Sequence, residues 1–391
     1  MVLQLFKASK SGVEQKASAA APVIAFHGAG RVAWSPRDTA SLTRMGFVGN
    51  PVGFRCVKMI AEAAAAVPVL LQDIERRYED HPLLSLMTQP NLAQGSAALL
   101  EAFYGQLLLS GNGYFEAAGM DARGVPRELH VLRSDRMSVI PGSDGWPVAY
   151  QYAVGGRKHR FDMQGDFADI LHVKAFHPQD DHYGLSPLQA AAAALDVHNS
   201  ASKWSKALLD NAARPSGAIV YKGSDGMGAL TADQYDRVKD ELENHHQGSI
   251  NAGRPMLLEG GLDWKPMGFS PSDMEFQKTK ESAAREVALA FGVPPMLLGF
   301  PGDNSYANYQ EANRAFYRLT VLPLVGKTLA ALTGWLSPHF GEGLTLKADL
   351  DGIAALSVER EAQWRRVAGA EFLSQAEKRQ MLGLPKLVED E

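Results

Sequence analysis

Apolar residues recur at two spacings along the 391-residue chain, and the change of spacing marks off its elements. In NPVGFRCVKMIAEAAAAVP, Asn50 to Pro68, the residues Cys56, Val57, Ile60, Ala63, Ala64 and Val67 form one stripe at the 3.6-residue period of an amphipathic helix. Asn50 offers a capping side chain, Pro51 sits where a missing N–H costs nothing, and Pro68 closes the pattern. A second helix is predicted over Ser96 to Ser110, where Leu99, Leu100, Phe103, Tyr104, Leu107 and Leu108 share a face. From Tyr114 to Phe176 the period falls to two, in YFEAA, ELHVL, MSVIP, VAYQYAV and ILHVKAF, with the turn signals GSDG and GG between them. That pattern predicts a small antiparallel sheet beside the helices.

Helical spacing returns in YGLSPLQAAAAALDVHNSASKWSKALLDNAARPSG, where Ser186, Pro187 and Gln189 announce a helix start and the pattern runs to about Ala212, before Pro215. Such a helix is about 40 Å long. A strand pattern GAIVY, a helix capped by Thr231 with Gln234 three residues on, and strand patterns in RPMLLEG and LDWKPMG then make an αβ insertion. It is too small to bury a large core of its own. A further helix follows in SPSDMEFQKTKESAAREVALAFGV, with Phe276, Ala283, Val287, Ala290 and Phe291 on one face. Two helices therefore bracket the insertion. Next comes FGVPPMLLGFPGDNSYANYQEANRAFYRLTVLPLV, a proline- and glycine-rich loop running into a helix predicted from Tyr306 to Leu336. Pro323 inside that helix removes a hydrogen bond and crowds the carbonyl of Leu319, so a kink is expected. The tail holds a strand, LTLKADL, a helix after Ser357 and a short one opened by a capping box, Ser374 with Glu377. Residues 1–40 lack periodicity and read as a mobile arm with at most short order.

Composition narrows the function. With 46% apolar and 21% charged residues the chain is globular in type, and its length argues for two or three lobes. A net charge of -5 leaves no global basic field to hold nucleic acid by counterion release. The single cysteine, Cys56, excludes an intrachain disulfide or a thiolate zinc cluster, and on the apolar face of a helix it reads as a buried, inert thiol. The first residues lack a signal-peptide pattern, and no uninterrupted apolar run of about 18 residues occurs, so no transmembrane helix is predicted.

The candidate chemistry is sparse. GFPGDNS invites comparison with a phosphate-binding loop, but no Lys followed by Ser or Thr accompanies it and a helix precedes it where a strand should. LHVKAFHPQDDHYG gathers His172, His177, Asp180, Asp181 and His182, from which a metal-dependent hydrolase using His172, His177, Asp180 and His182 is the alternative reading. Five residues apart on a strand-like segment, His172 and His177 point to opposite faces. His245 and His246 end a helix and face its last carbonyls or solvent. Neither GxSxG nor HExxH occurs, and no catalytic residue, metal or cofactor is assigned. A structural or assembly protein fits better than an enzyme, and a scaffold without a channel is a third reading.

The order of NPVGFRCVKMIAEAAAAVP, HPLLSLMTQPN, LLLSGNGYFE, LHVKAFHPQDDHYGLSPLQAA, NAARPSGAIV, AGRPMLLEGGLDWKPMGFSPSDMEFQKTKESAAREVALAFGVPPMLLG and NSYANYQEANRAFYRLTVLPLV resembles that of the portal proteins of long-tailed bacteriophages. It is similar especially to the short portals of phage-derived gene transfer agents, from about Asn50 to Leu384. The resemblance implies an α+β, multidomain portal fold: a flexible arm (1–40), a mixed α/β wing (41–185) with a return strand (341–355), and stem helices (186–212 and 270–292). It further implies a small αβ clip (213–269), a tunnel loop (293–308), a kinked tunnel helix (306–340) and a short C-terminal crown (356–391). By the same resemblance the chain would form a ring of twelve at one capsid vertex of a virion or virus-like particle, assembled in the bacterial cytoplasm beside the major capsid protein. The ring would pass double-stranded DNA without sequence specificity and dock the terminase large subunit and a head-tail adaptor, with no membrane involved. Gly299, Phe300, Pro301, Gly302, Asp303, Asn304 and Ser305 are then expected to project into the channel, and Pro323 to kink the helix behind them.

Overall fold

The computed structural model describes residues 34–163, 167–210, 217–221, 231–245, 262–266, 276–300 and 306–385. Residues 1–33 of the expected arm lie outside them. From Ser35 onward the chain forms one compact unit. It opens with α1 (Thr39–Thr43), capped by Asp38, which accepts from the Ser41 N–H, and continues through a π-helical turn, Arg44–Val48. In α2 (Pro51–Ala65) the Asn50 side chain accepts from the N–H groups of Val52 and Gly53, both at 3.0 Å. Its buried face holds Cys56, Val57, Ile60 and Ala64 as the spacing requires, with Ala61 buried where Ala63 was expected. There follow β1 (Val69–Gln72), β2 (Arg77–Tyr78), α3 (Pro82–Thr88) and α4 (Ser96–Ser110), whose six predicted apolar residues are all buried.

The period-two region forms β3 (Asn112–Ala118), β4 (Glu128–Leu132), β5 (Met137–Pro141), β6 (Pro147–Val154), β7 (Arg157–Asp162) and β8 (Ile170–Lys174). These make two antiparallel sheets, ordered β4-β3-β8 and β5-β6-β7, where one was expected. Alternation identifies a strand but not its partner: after β4 a short 3-10 turn, Ser134–Arg136, redirects the chain, and β5 pairs forward with β6. β7 was not foreseen, because RKHRFD has Phe161 as its one buried residue. A small second core of Tyr114, Leu132, Met137, Tyr150, Phe161 and Ile170 joins the two sheets.

Ser186 caps α5 (Pro187–Ala190), accepting from the Gln189 N–H at 3.0 Å, and α6 (Ala192–Asp210) follows. The single helix expected here is thus interrupted at Ala191, where ψ is -2°. Beyond it lie β9 (Gly217–Tyr221), α7 (Ala232–His245) and β10 (Leu262–Pro266), with β9 and β10 antiparallel. Thr231 and Gln234 form the reciprocal cap of α7, while the strand pattern RPMLLEG falls outside the described residues. α8 (Phe276–Phe291) returns beside α6, and Trp204 stacks on Phe276 at 3.7 Å.

The tail of the chain closes back on its beginning. α9 (Tyr306–Phe316), a π-helical turn (Tyr317–Val321) and α10 (Leu322–Phe340) form one long helical rod. β11 (Thr345–Ala348) pairs antiparallel with β1, Leu346 opposite Leu71, and α11 (Ser357–Ala368) and α12 (Gln375–Met381) end the described chain. The Ser374–Glu377 capping box is formed in both directions. Residues of α2, α4, α8 and α10 share the main core. By length and composition, Ala307–Phe340 is apolar enough to cross a membrane, with a mean hydropathy of 1.4 over its best stretch. Its apolar residues do not form an uninterrupted run, because Arg318 and Lys327 break it. Val321, Val325, Leu329, Leu332 and Leu336 on its inner face are buried in the core, and 39% of the stretch is buried in all.

Candidate functional site

The singled-out loop leaves α8 through a turn that a glycine makes. Gly292 has φ +67°; its N–H donates to the Leu289 carbonyl at 3.0 Å, and the Val293 N–H reaches back to Ala288 at 2.9 Å. These bonds satisfy carbonyls that the last helical turn leaves open, and Val293 packs in the core with Ala288. The Thr320 hydroxyl, from the π-helical turn, donates to the Gly292 carbonyl at 2.6 Å. A Cβ at position 292 would lie 2.8 Å from that hydroxyl oxygen. The two helices flanking the loop are therefore cinched together at its base.

Pro294 and Pro295 lead into a 3-10 turn, Pro295–Leu298, whose Leu297 and Leu298 pack against the core. Gly299 follows with φ +81°, and among the described residues nothing lies within 4 Å of where its Cβ would be. Phe300 lies under the guanidinium of Arg285 on α8, 5.8 Å from ring centre to the cation, and Arg285 is also held by Glu281 at 2.7 Å. The loop thus begins clamped to α8. Pro301, Gly302, Asp303, Asn304 and Ser305 lie outside the described residues.

On the far side, the disturbance that Pro323 causes falls one turn before the proline itself. The Leu322 N–H bonds to the Tyr317 carbonyl, five residues back instead of four, and Pro323 then occupies the first turn of α10, where its missing N–H is tolerated. A widened turn relieves the clash between the proline ring and the Leu319 carbonyl. Outside this turn, Arg314 and Arg318 both approach Glu359 of α11, at 3.7 and 3.3 Å. The Gly292 C-cap was readable from a glycine that follows a helical pattern; nothing in the sequence pointed to Thr320 as its neighbour, or to Glu359 as the partner of Arg314 and Arg318.

The histidine-rich stretch has other work. His172 stacks on Tyr114 at 4.2 Å, and its Nε2 lies 3.0 Å from Asn112 Oδ1; burial, with Lys174 nearby, pushes its pKa down to about 3. β8 ends at Lys174, so the alternation of faces does not extend to His177, whose Nδ1 accepts from the Gln179 N–H. Asp180 accepts from the N–H groups of Tyr183 and His182, which lower its pKa. Among the described residues no three His, Cys, Asp or Glu side chains come close enough to share a metal ion. Cys56 is buried in α2, and that burial raises its pKa to about 12, so its thiolate is scarcely populated.

Comparison with known proteins bears on the same arrangement. Residues 51–383 match the phage portal protein family. An uncharacterized protein of Rickettsia bellii is 41% identical over 342 residues, 86% of this chain and 87% of its own length. The portal protein of Enterobacteria phage HK97 is 25% identical over 316 residues, 77% of this chain and 70% of the phage protein. Among solved structures, a chain in the neck of an empty gene transfer agent particle is 68% identical with a TM-score of 0.71, covering 92% of this chain and 97% of that one. A chain in the neck of the native particle, computed with C12 symmetry, is 67% identical with a TM-score of 0.70 and the same coverage.

Proposed function

The chain belongs to the phage portal protein family, and from that premise we propose that twelve copies form a ring at one capsid vertex of a phage-like or gene transfer agent particle. The ring is the channel for double-stranded DNA and the platform for the terminase large subunit and a head-tail adaptor, with the major capsid protein around it. The observation that carries this reading is the 67% identity to a chain in a gene transfer agent neck computed with C12 symmetry, covering 92% of this chain and 97% of that one. Its role is mechanical and non-enzymatic, and the residues of the histidine-rich stretch hold loops and strands in place.

In this reading α6 and α8 are the stem, and the β9–α7–β10 module between them is the clip held away from the body. The sheets and helices from α1 to β8, with β11, are the wing, and α11 and α12 the crown. Gly299, Phe300, Pro301, Gly302, Asp303, Asn304 and Ser305 form a tunnel loop that faces the lumen, and the rod from α9 to α10 is the tunnel helix behind it. A chain of net charge -5 suits a conduit through which DNA slides without being held, and the carboxylate of Asp303 repels phosphate. Deleting residues 300–304 tests the loop's part: DNA packaging or retention falls while the particle still assembles, and normal packaging and retention contradict it.

A further inference from the structure

We propose that the free edge of β7 is a docking strand for an extended, acidic segment of a partner protein. β7 is the outer strand of its sheet, and Met163 after it donates its N–H to the Val148 carbonyl at 2.9 Å. In this antiparallel register Arg157, His159 and Phe161 bond to β6, so Lys158, Arg160 and Asp162 turn their N–H and C=O groups outward. Among the described residues none of these outward groups has a partner. The side chains alternate as well. Lys158 and Arg160 stand on one face, whereas His159 packs edge-on against the buried Phe161 at 4.4 Å on the other. Gly155 and Gly156, with φ +55° and +80°, close the hairpin between β6 and β7.

Charge decides what such an edge accepts. In a chain of net charge -5, RKHR sets Arg157, Lys158 and Arg160 on one strand, all exposed. Arg160 bonds to Asp162 at 2.7 Å, but Arg157 and Lys158 have no carboxylate partner among the described residues. Cations on an edge strand repel a second copy of the same edge, since they would meet across the new pair. A strand with carboxylates at alternate positions turns that repulsion into attraction, while apolar residues between them extend the row of His159 and Phe161. A nucleic acid fits less well, because the outward carbonyls of Lys158, Arg160 and Asp162 and the Asp162 carboxylate would face its phosphates. The surface belongs to the single subunit, and docking on it does not require the ring.

Fluorescein-labelled octapeptides test this on the full chain by anisotropy: alternating Glu-Val, alternating Lys-Val, and a block peptide of the first one's composition with its glutamates together. Alternating Glu-Val is expected to bind about tenfold more tightly than either of the others, because it alone sets carboxylates opposite both Lys158 and Arg160. In Lys158→Glu/Arg160→Glu the preference is expected to pass to Lys-Val, a gain that only a folded variant can show. Binding of Glu-Val is also expected to slow hydrogen exchange across residues 157–162, where the outward N–H groups become bonded. Equal binding of the block peptide reduces the surface to bare charge and overturns the docking strand, and unchanged exchange at 157–162 overturns the site. No binding of alternating Glu-Val to the unsubstituted protein, or tighter binding of a short double-stranded DNA, overturns the proposal without recourse to any variant.

Discussion

Gly292 and Gly299 both hold positive φ, +67° and +81°, in different surroundings. An alanine at either position costs about 1 kcal/mol in backbone conformation alone. At 292 the new Cβ would also press on the Thr320 hydroxyl, at 2.8 Å, whereas at 299 it meets no atom of the described residues within 4 Å. Gly292→Ala is therefore expected to lower stability in urea denaturation by about 1–3 kcal/mol and by more than Gly299→Ala; equal losses would show that the cinch contributes nothing. His172 offers a second test at this scale. Its neutral form is the folded one, with a pKa of about 3 set first by burial, so the unfolded chain binds the extra proton as the pH falls below the ordinary histidine range. Its contribution is complete above about pH 6.5 and declines towards pH 3, by about 1.4 kcal/mol per pH unit. His172→Phe keeps a ring against Tyr114 while removing the titration, and Asn112 Oδ1 still accepts from the Gly184 N–H. The variant is expected to show a flatter decline in stability between pH 6 and pH 4, in a series of urea melts; an unchanged slope assigns the acid sensitivity elsewhere.

The rod from α9 to α10 carries the next prediction. Pro323→Ala restores an N–H one turn after the Leu319 carbonyl, so the widened turn loses its cause. The variant is expected to unfold at a higher temperature, by an amount corresponding to at most about 3 kcal/mol, and to package or retain less DNA if the irregular turn serves the channel. A lower unfolding temperature would mean that the surrounding fold imposes the π-helical turn. This element also shows where sequence stops being informative. Helices with strong stripes and caps, such as α2 and α4, were legible to within a residue or two, because burial and capping act locally. Pairing of β5 with β6 in a separate sheet, and the interruption at Ala191, depend on contacts between distant segments. The position of Pro323 could be read directly, but its effect on the preceding turn could not, since an isolated helix would accommodate the ring by bending. Likewise the glycines of the hinge were visible in the sequence, while the Thr320 side chain that holds Gly292 comes from another part of the fold.

At the scale of the whole molecule, the subunit is a closed core with one feature a lone chain leaves unexplained. That feature is the module of β9, α7 and β10, reached through α6 and α8 and paired internally as β9 with β10. The proposed ring gives such a module a use, as a part that meets other proteins. The measurement that bears most directly on this account is cryo-electron imaging of particles containing this protein, classified without imposed symmetry at the vertex. The account predicts a ring of twelve copies of the 42.3 kDa chain, about 0.5 MDa in all, around a DNA-sized channel at a single vertex. A vertex without this chain, or the chain present there as isolated monomers or dimers, would contradict it.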